Sequence, residues 1–318
     1  MKKLSLSVLS LLIVFPCLAQ IESSQSEDIW PRDWQSMEIE SKWSVPNAAT
    51  FNKIATKLMF GKLNSEIKNK FNLKVIRKFG AVPTRMVDYY YDTKDLKITN
   101  AGHALRLRKM WYVKNADDFY GFRNKDYNVG RVTQEGLVGE QKHETKPYWF
   151  YKTDRVQYKS DAHILHATWF RLEVGTDNSE DRKVTSEQIL KGKPEAQNHP
   201  TILQLKEDHP SINIAELEVI RSVRDYRSRF VMCETDVSDE ECHENPIYEI
   251  SMDMQADIYD YQKKTHSSAI EMEIEILNEE GNMTRENMER LFKVSNFFEK
   301  KYKLTPSITS KGGVKIGK

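Results

Sequence analysis

The chain has 318 residues, 39% of them hydrophobic and 30% charged, which suits one large water-soluble globular domain or two small ones. Its formal net charge of +1 gives no general attraction to nucleic acid or acidic membranes, so any basic site must be local. Zinc-ligand spacing, a phosphate-cradling glycine loop and a dinucleotide fingerprint are all missing, and His163 and His166 sit together without a third ligand nearby.

The chain opens on a targeting pattern. Met1-Lys2-Lys3 is a short positive region, Leu4 to Phe15 an apolar run, and Pro16 and Cys17-Leu18-Ala19 a break and small residues before a cleavage point. Residues 1–19 are therefore expected to be a signal peptide, with the mature chain periplasmic or secreted and not inserted in a membrane. Cys17 also raises a lipid anchor, but Phe15 and Pro16 suit one poorly. Residues 20–36 are polar and read as a flexible leader.

A first strand is expected near Met37, with Glu38, Glu40 and Lys42 on one face and Ile39 on the other. Pro46-Asn47 ends it, and Phe51, Ile54, Ala55, Leu58 and Met59 have helical spacing. Met86 to Tyr91 reads as a strand followed by a turn at Asp92-Thr93 and a short segment from Lys94 to Thr99. Asn100-Ala101-Gly102 makes a turn into Ala104 to Arg108, which puts Arg106 and Arg108 on one face and leucines on the other. Residues 112–146, glycine-rich and charged, read as an insertion or extended hairpin.

Further strands follow at Phe150 to Lys152, Phe170 to Val174 with Arg171 and Glu173, and Tyr226 to Phe230 with Arg227 and Arg229. A helix is expected from Ser186 to Leu190 and a strand from Ile214 to Val219. Cys233 and Cys242 remain once Cys17 is cleaved, and two cysteines in an oxidising compartment predict one disulfide, with free thiols as the alternative. The acidic segment between them reads as a loop joining two strands. Glu249 to Met254 sets acids against apolar residues, as does Glu271-Met272-Glu273-Ile274-Glu275. Thr284 is placed to cap a last helix carrying Met288, Leu291, Phe292, Phe298 and Tyr302 on one side.

One strand with a charged face is ordinarily a surface strand. Six or seven that mix acids and bases could instead close into a barrel lined by charge. Burying so many ions without a ligand is costly, so such a barrel must hold water, metal and a polyanion.

These motifs, in this order, resemble the CYTH domains, also called triphosphate tunnel metalloenzymes. The matching residues are the Glu38-x-Glu40-x-Lys42 strand, Tyr90-Tyr91-Asp92-Thr93, Gly102 to Arg108, Tyr151-Lys152-Thr153, Glu249 to Asp253, Glu271-Met272-Glu273 and Ser310-Lys311. The pattern is most similar to the bacterial inorganic-triphosphatase branch. The long 112–146 segment, the Gly312-Gly313-Val314 tail and the export signal depart from it.

The resemblance implies an α+β fold, a closed antiparallel eight-stranded tunnel over residues 37–318 with helices outside. It also implies Mg2+- or Mn2+-dependent hydrolysis of inorganic triphosphate or a related compound. Glu38, Glu40, Asp253, Glu271, Glu273 and, with an ambiguous register, Glu275 would hold metal, as carboxylate oxygens suit hard cations. Lys42, Arg106, Arg108, Lys152, Arg171, Arg227, Arg229 and Lys311 would hold phosphates, with Glu38, Glu40 and Lys42 catalytic. Arg171 and Glu173 could instead pair with each other. The rival reading is a non-catalytic module that captures exported polyphosphate or nucleotides. A cyclase on the same fold fits poorly outside the cytosol, where ATP is scarce.

Overall fold

The computed structural model describes residues 38–77, 84–113, 141–144, 148–153, 156–159, 164–171, 173–175, 198–277 and 281–307. The expected signal peptide and leader, most of the 112–146 segment, the 186–190 helix and Ser310-Lys311 lie outside them.

The strands are β1 (Glu38–Ser44), β2 (Leu73–Arg77), β3 (Thr84–Asp92), β4 (Ala104–Val113), β5 (Gln141–Glu144), β6 (Tyr148–Lys152), β7 (Val156–Lys159), β8 (Ile164–Arg171), β9 (Glu173–Gly175), β10 (Glu218–Glu234), β11 (Tyr248–Asp260), β12 (Thr265–Ile276) and β13 (Thr305–Pro306). All join one sheet in the order β7-β8-β1-β12-β11-β10-β3-β4-β6-β9, with β13 beside β1, β2 beside β10 and β5 beside β4. Every pairing is antiparallel.

The expected closed eight-stranded barrel is thus corrected to an open, curled antiparallel sheet with helices. The pairing path ends at β7 and β9. β8 and β9 follow one another along the chain with only residue 172, outside the described set, between them. One pairs with β1 and the other with β6, and among the described residues no strand pairing joins the two ends of the path.

Alternation assigns the two faces. Ile39, Trp43, Phe230, Met232, Tyr248, Ile250, Met252, Met272, Ile274 and Ile276 form the larger core on the outer face. Three helices cover it: α1 (Ala48–Met59), α2 (Asn64–Phe71) and α6 (Arg285–Tyr302). Asn47 caps α1 by accepting from the Thr50 amide at 2.9 Å. The apolar stripe expected on α1 is the buried one, through Phe51, Ile54, Ala55 and Leu58. Thr284 Oγ1 accepts from the Asn287 amide at 3.1 Å, the cap expected for α6.

A second core lies over β3, β4 and β6, where Leu105, Leu107, Trp149 and Tyr151 meet Ile202 and Leu205 of α4 (Pro200–Asp208). Between β3 and β4 the chain makes one helical turn, α3 (Lys97–Asn100), and reverses at Gly102, whose φ of +85° is left-handed.

Two local expectations are corrected. Ile214–Glu216 is a 3-10 turn, capped by Asn213 accepting from the Ala215 amide, and the strand starts only at Glu218. The segment between the cysteines is not simply a loop: it contains α5 (Asp239–Glu244), where Ser238 caps three consecutive acids placed favourably at a helix N-terminus. Cys242, on α5, is bonded to Cys233 on β10, with Cα atoms 5.6 Å apart. Only the base of the 112–146 segment is described, as the β4–β5 pairing of Trp111 with Glu144 and Tyr112 with His143.

Candidate active site

The face opposite the helices carries the charge. Glu40, Lys42, Asp88, Arg106, Arg108, Asp225, Arg227, Glu249, Asp253, Glu271 and Glu273 are all buried. A flat sheet would leave such a face wet. Its burial follows from curvature, which brings strands together that share no ladder. Lys152 Nζ on β6 lies 3.1 Å from Glu38 Oε2 on β1, and Arg227 Nη2 on β10 reaches Glu273 on β12 at 3.5 Å across β11.

Strand register sets the rows. Glu40 lies opposite Glu275, Lys42 opposite Glu273 and Ser44 opposite Glu271. On the other side of β12, Glu275 faces Glu249, Glu273 faces Ser251 and Glu271 faces Asp253. This places the acidic triplet: Glu271 and Glu273 are buried and Glu275 is half-buried. Carboxylate oxygens of Glu38, Glu40 and Glu273 lie within 4.8 Å of one another, the one such metal-sized grouping among the described residues. Three hard oxygen donors so close repel each other, and a divalent cation is the natural partner for that donor set. Glu275 reports the same crowding. Burial, followed by the charges of Glu249, Glu38 and Glu273, pushes its carboxyl well above the usual range.

The cations are threaded among the acids. Lys42 Nζ is 3.2 Å from Glu271 and 3.9 Å from Glu273. Arg227 donates through Nε and Nη2 to both oxygens of Asp253, each at 2.7 Å. Arg108 makes the same two-pronged contact with Asp88 at 2.7 and 2.8 Å, and Arg106 approaches Asp88 at 3.5 Å. Burial alone would lower the pKa of Arg108 and Arg227, yet the facing Asp88 and Asp253 raise both. Arg229 meets Glu249 at 3.5 Å, and the Arg106 guanidinium lies 4.5 Å from the Phe150 ring. Gln255 donates to Glu271.

Of the residues singled out from sequence, Glu38, Glu40, Lys42, Arg106, Arg108, Lys152, Arg227, Arg229, Asp253, Glu271, Glu273 and Glu275 therefore come to one face. Asp253, expected beside the metal, holds Arg227 with both oxygens. Arg171 lies opposite Glu38 in the β8–β1 register and Glu173 opposite Lys152 in β9–β6, while Lys311 is outside the described residues. Sequence reasoning passed over Asp88, Asp225 and Gln255. A signal for Asp88 existed: it sits mid-strand between Met86 and Tyr90, in a strand followed at once by the one carrying Arg106 and Arg108. Asp92 belongs to the framework, because its carboxylate accepts from the amides of Thr93, Ile98 and Thr99 at 2.7, 2.9 and 2.8 Å and fixes the turn after β3.

No protein-family model and no curated protein matches the chain. Solved structures with a related outline exist, and those named here are adenylate-cyclase-like and triphosphatase proteins. A Hippeastrum candidate adenylyl cyclase with a dominant triphosphatase activity overlaps with a TM-score of 0.48 at 15% identity, over 87% of this chain and 94% of its own. A candidate adenylate cyclase from Bacillus halodurans gives 0.41 at 13%, over 86% and 94%. The mimivirus capping-enzyme triphosphatase gives 0.36 at 13%, also over 86% and 94%. Likenesses this distant assign no residue, and the functional reading rests on the geometry above.

Proposed function

We propose that the charged concave face of the curled sheet hydrolyses inorganic triphosphate or a related short linear polyphosphate with a divalent cation, Mg2+ or Mn2+. One observation carries the reading: a buried sheet face, covered by no helix among the described residues, joins a three-carboxylate cluster to rows of lysine and arginine. An interior of ions stabilises nothing by itself, since its desolvation cost rivals its pairing energy. It is explained by a ligand that is both metal-bearing and polyanionic.

Glu38, Glu40 and Glu273 would hold the cation, with Glu271 and Glu275 flanking them. The bound cation would neutralise phosphate oxygens and make the terminal phosphorus more open to attack by water. Lys42, next to Glu271 and Glu273, carries positive charge to the edge of that cluster. Arg106, Arg108, Lys152, Arg227 and Arg229 bind and orient the phosphate oxygens, with Arg171 and Lys311 added from the family pattern. Asp88 and Asp253 lock the Arg108 and Arg227 forks before substrate arrives, so little order is lost on binding. The chain is further proposed to act after export, in the periplasm or outside the cell.

The test is phosphate release from triphosphate against Mg2+ or Mn2+ concentration. Wild type should turn over only with metal. Glu40→Gln should abolish turnover and metal dependence while the fold is kept, and Arg106→Ala should also weaken substrate binding. A Glu40→Gln protein equal to wild type at every metal concentration would overturn the assignment. Tight binding of triphosphate without release of phosphate would replace the enzyme with a capture module.

A further inference from the structure

The cations of the inward face continue beyond the residues that hold the proposed triphosphate. On β10, Arg229, Arg227, Asp225, Val223 and Arg221 alternate on that face. Arg221 lies opposite Asp260 on β11 and Tyr90 on β3, and Tyr90 lies opposite Arg106 on β4. Cross-strand partners share a face, so Arg106, Tyr90, Arg221 and Asp260 form one row. Lys152, which pairs with Ala104 on β4, reaches Glu38, so the β4 end of the row is the end nearer the carboxylate cluster. Arg221 is two strands further along, about 10 Å of sheet.

Arg221 is held less tightly than its neighbour Arg227. Its Nη2 lies 3.4 Å from Asp260 Oδ2, whereas Arg227 grips both oxygens of Asp253 at 2.7 Å. Asp260 is also shared. Its Oδ1 accepts from the Gln262 and Lys263 amides at 3.1 and 2.9 Å, and its Oδ2 lies 3.6 Å from Lys263 Nζ. One carboxylate therefore stands against two cations. The Arg221 Nε is buried and meets no acceptor among the described residues, which is costly without a ligand that draws on the guanidinium.

The surroundings of Arg221 are basic too. Gln262 in the tip of the β11–β12 hairpin donates to the Lys94 carbonyl at 3.4 Å, so that tip and the turn after β3 meet. Residues 93–97 and 260–264, with Arg221, carry five cations and two carboxylates, and Lys94, Lys97, Lys263 and Lys264 are exposed. From this we infer that Arg221 and the lysines of these two turns form a distal subsite for the trailing phosphates of a linear polyphosphate longer than triphosphate. Triphosphate has four P–O bonds between its outer phosphorus atoms, little more than one residue of strand backbone with its three. Held by the cation and Arg106, it does not span the two strands to Arg221, and a chain with several more phosphates does. A nucleic acid also presents phosphates, but its bases need exposed rings to stack on. Tyr90, the aromatic of this row, is buried, and Tyr259, with Tyr261 packed against it, alternates with Asp260 onto the other face. The inference rests on the triphosphatase reading and narrows its preferred substrate to the longer inorganic chain.

The experiment uses the full mature chain with metal and compares inorganic triphosphate with long-chain linear polyphosphate, both counted as chain ends. Wild type should show a KM for the long chain about tenfold below that for triphosphate, and the gap should shrink as salt is raised. Arg221→Gln leaves Asp260 its two amides and Lys263. It should raise KM for the long chain about tenfold more than for triphosphate, with the loss in KM and not in kcat. Lys263→Gln, on a side chain 75% exposed, should shift KM the same way by a smaller factor, and it decides the matter if the Arg221 variant does not fold. Equal KM values for the two substrates in wild type, or equal shifts of both in the variants, would refute the distal subsite and leave the triphosphatase reading intact. A 5′-triphosphorylated RNA that competes with triphosphate and is weakened by the variants, while the long polyphosphate is not, would refute the inorganic chain as occupant. No binding or turnover of triphosphate or polyphosphate would sink the reading and, with it, the subsite.

Discussion

Two buried side chains show how the ionic interior and the apolar shell divide the stability of the molecule. Asp88 is fully buried and holds Arg108 with both oxygens, and Arg106 approaches it too. Asp88→Asn keeps the shape but removes the charge, leaving a buried guanidinium without its carboxylate. Losing one partner of such a pair costs about 3–5 kcal/mol. The urea midpoint of Asp88→Asn should fall accordingly, and a loss below about 1 kcal/mol would show that Arg108 finds another acceptor. Tyr302 belongs to the shell, stacked near Phe298 with ring centroids 6.1 Å apart. Burial, with Glu66 adding, pushes its hydroxyl up to about 12 from an ordinary 10.0. The sign follows from proton linkage. A folded value above the unfolded one leaves stability complete below about pH 10 and erodes it as pH rises from about 10 to about 12. Tyr302→Phe should therefore flatten the alkaline limb of stability against pH. An unchanged limb in denaturation midpoints would show that the hydroxyl titrates as if exposed.

At the scale of elements, the features most legible in the sequence are those whose signal is local. Thr284 is three residues before Asn287 and heads a periodic apolar stripe, so the cap of α6 could be read directly. Thr284→Ala should cost about 1 kcal/mol, measured as a drop in thermal midpoint, and a neutral change would mean that another group takes the Asn287 amide. The bonded cysteines close a loop between β10 and α5, with a sequence separation of 9. Reduction, or Cys242→Ser, should lower stability by about 2–3 kcal/mol on loop-entropy grounds, and equal denaturation midpoints with and without reductant would refute that contribution. Two features escaped sequence reasoning for the same reason. The α5 turn sits inside an acidic stretch with no apolar period, where Ser238 and the bridge supply what periodicity normally would. The Ile214–Glu216 turn has strand-like apolar spacing, but Asn213 caps it as a 3-10 turn and the strand begins two residues later.

At the scale of the whole molecule, alternation was enough to separate charged from apolar faces but could not say how those faces close. Glu38, Glu40 and Lys42 announce a charged face within one strand. Only the register tells that Glu273 completes the carboxylate cluster and that Asp253 serves Arg227. Asp88 was passed over for a related reason: its meaning comes from Arg108, 20 residues away across a turn. The same long-range closure makes the interior electrostatically unbalanced at its core. Glu275 is pushed toward its neutral form by burial and by the charges of Glu249, Glu38 and Glu273. A ligand that binds only the folded chain stabilises it by RT ln(1 + [L]/Kd), about 2.7 kcal/mol at a hundredfold excess over Kd. Saturating Mg2+ or Mn2+ should therefore raise the thermal midpoint above that in chelator, and added triphosphate should raise it further. A protein carrying both Glu40→Gln and Glu273→Gln should gain nothing from metal. If wild type melts identically with metal and with chelator, the carboxylate cluster is not a cation site. If the double variant still responds to metal, the cation binds elsewhere on the chain.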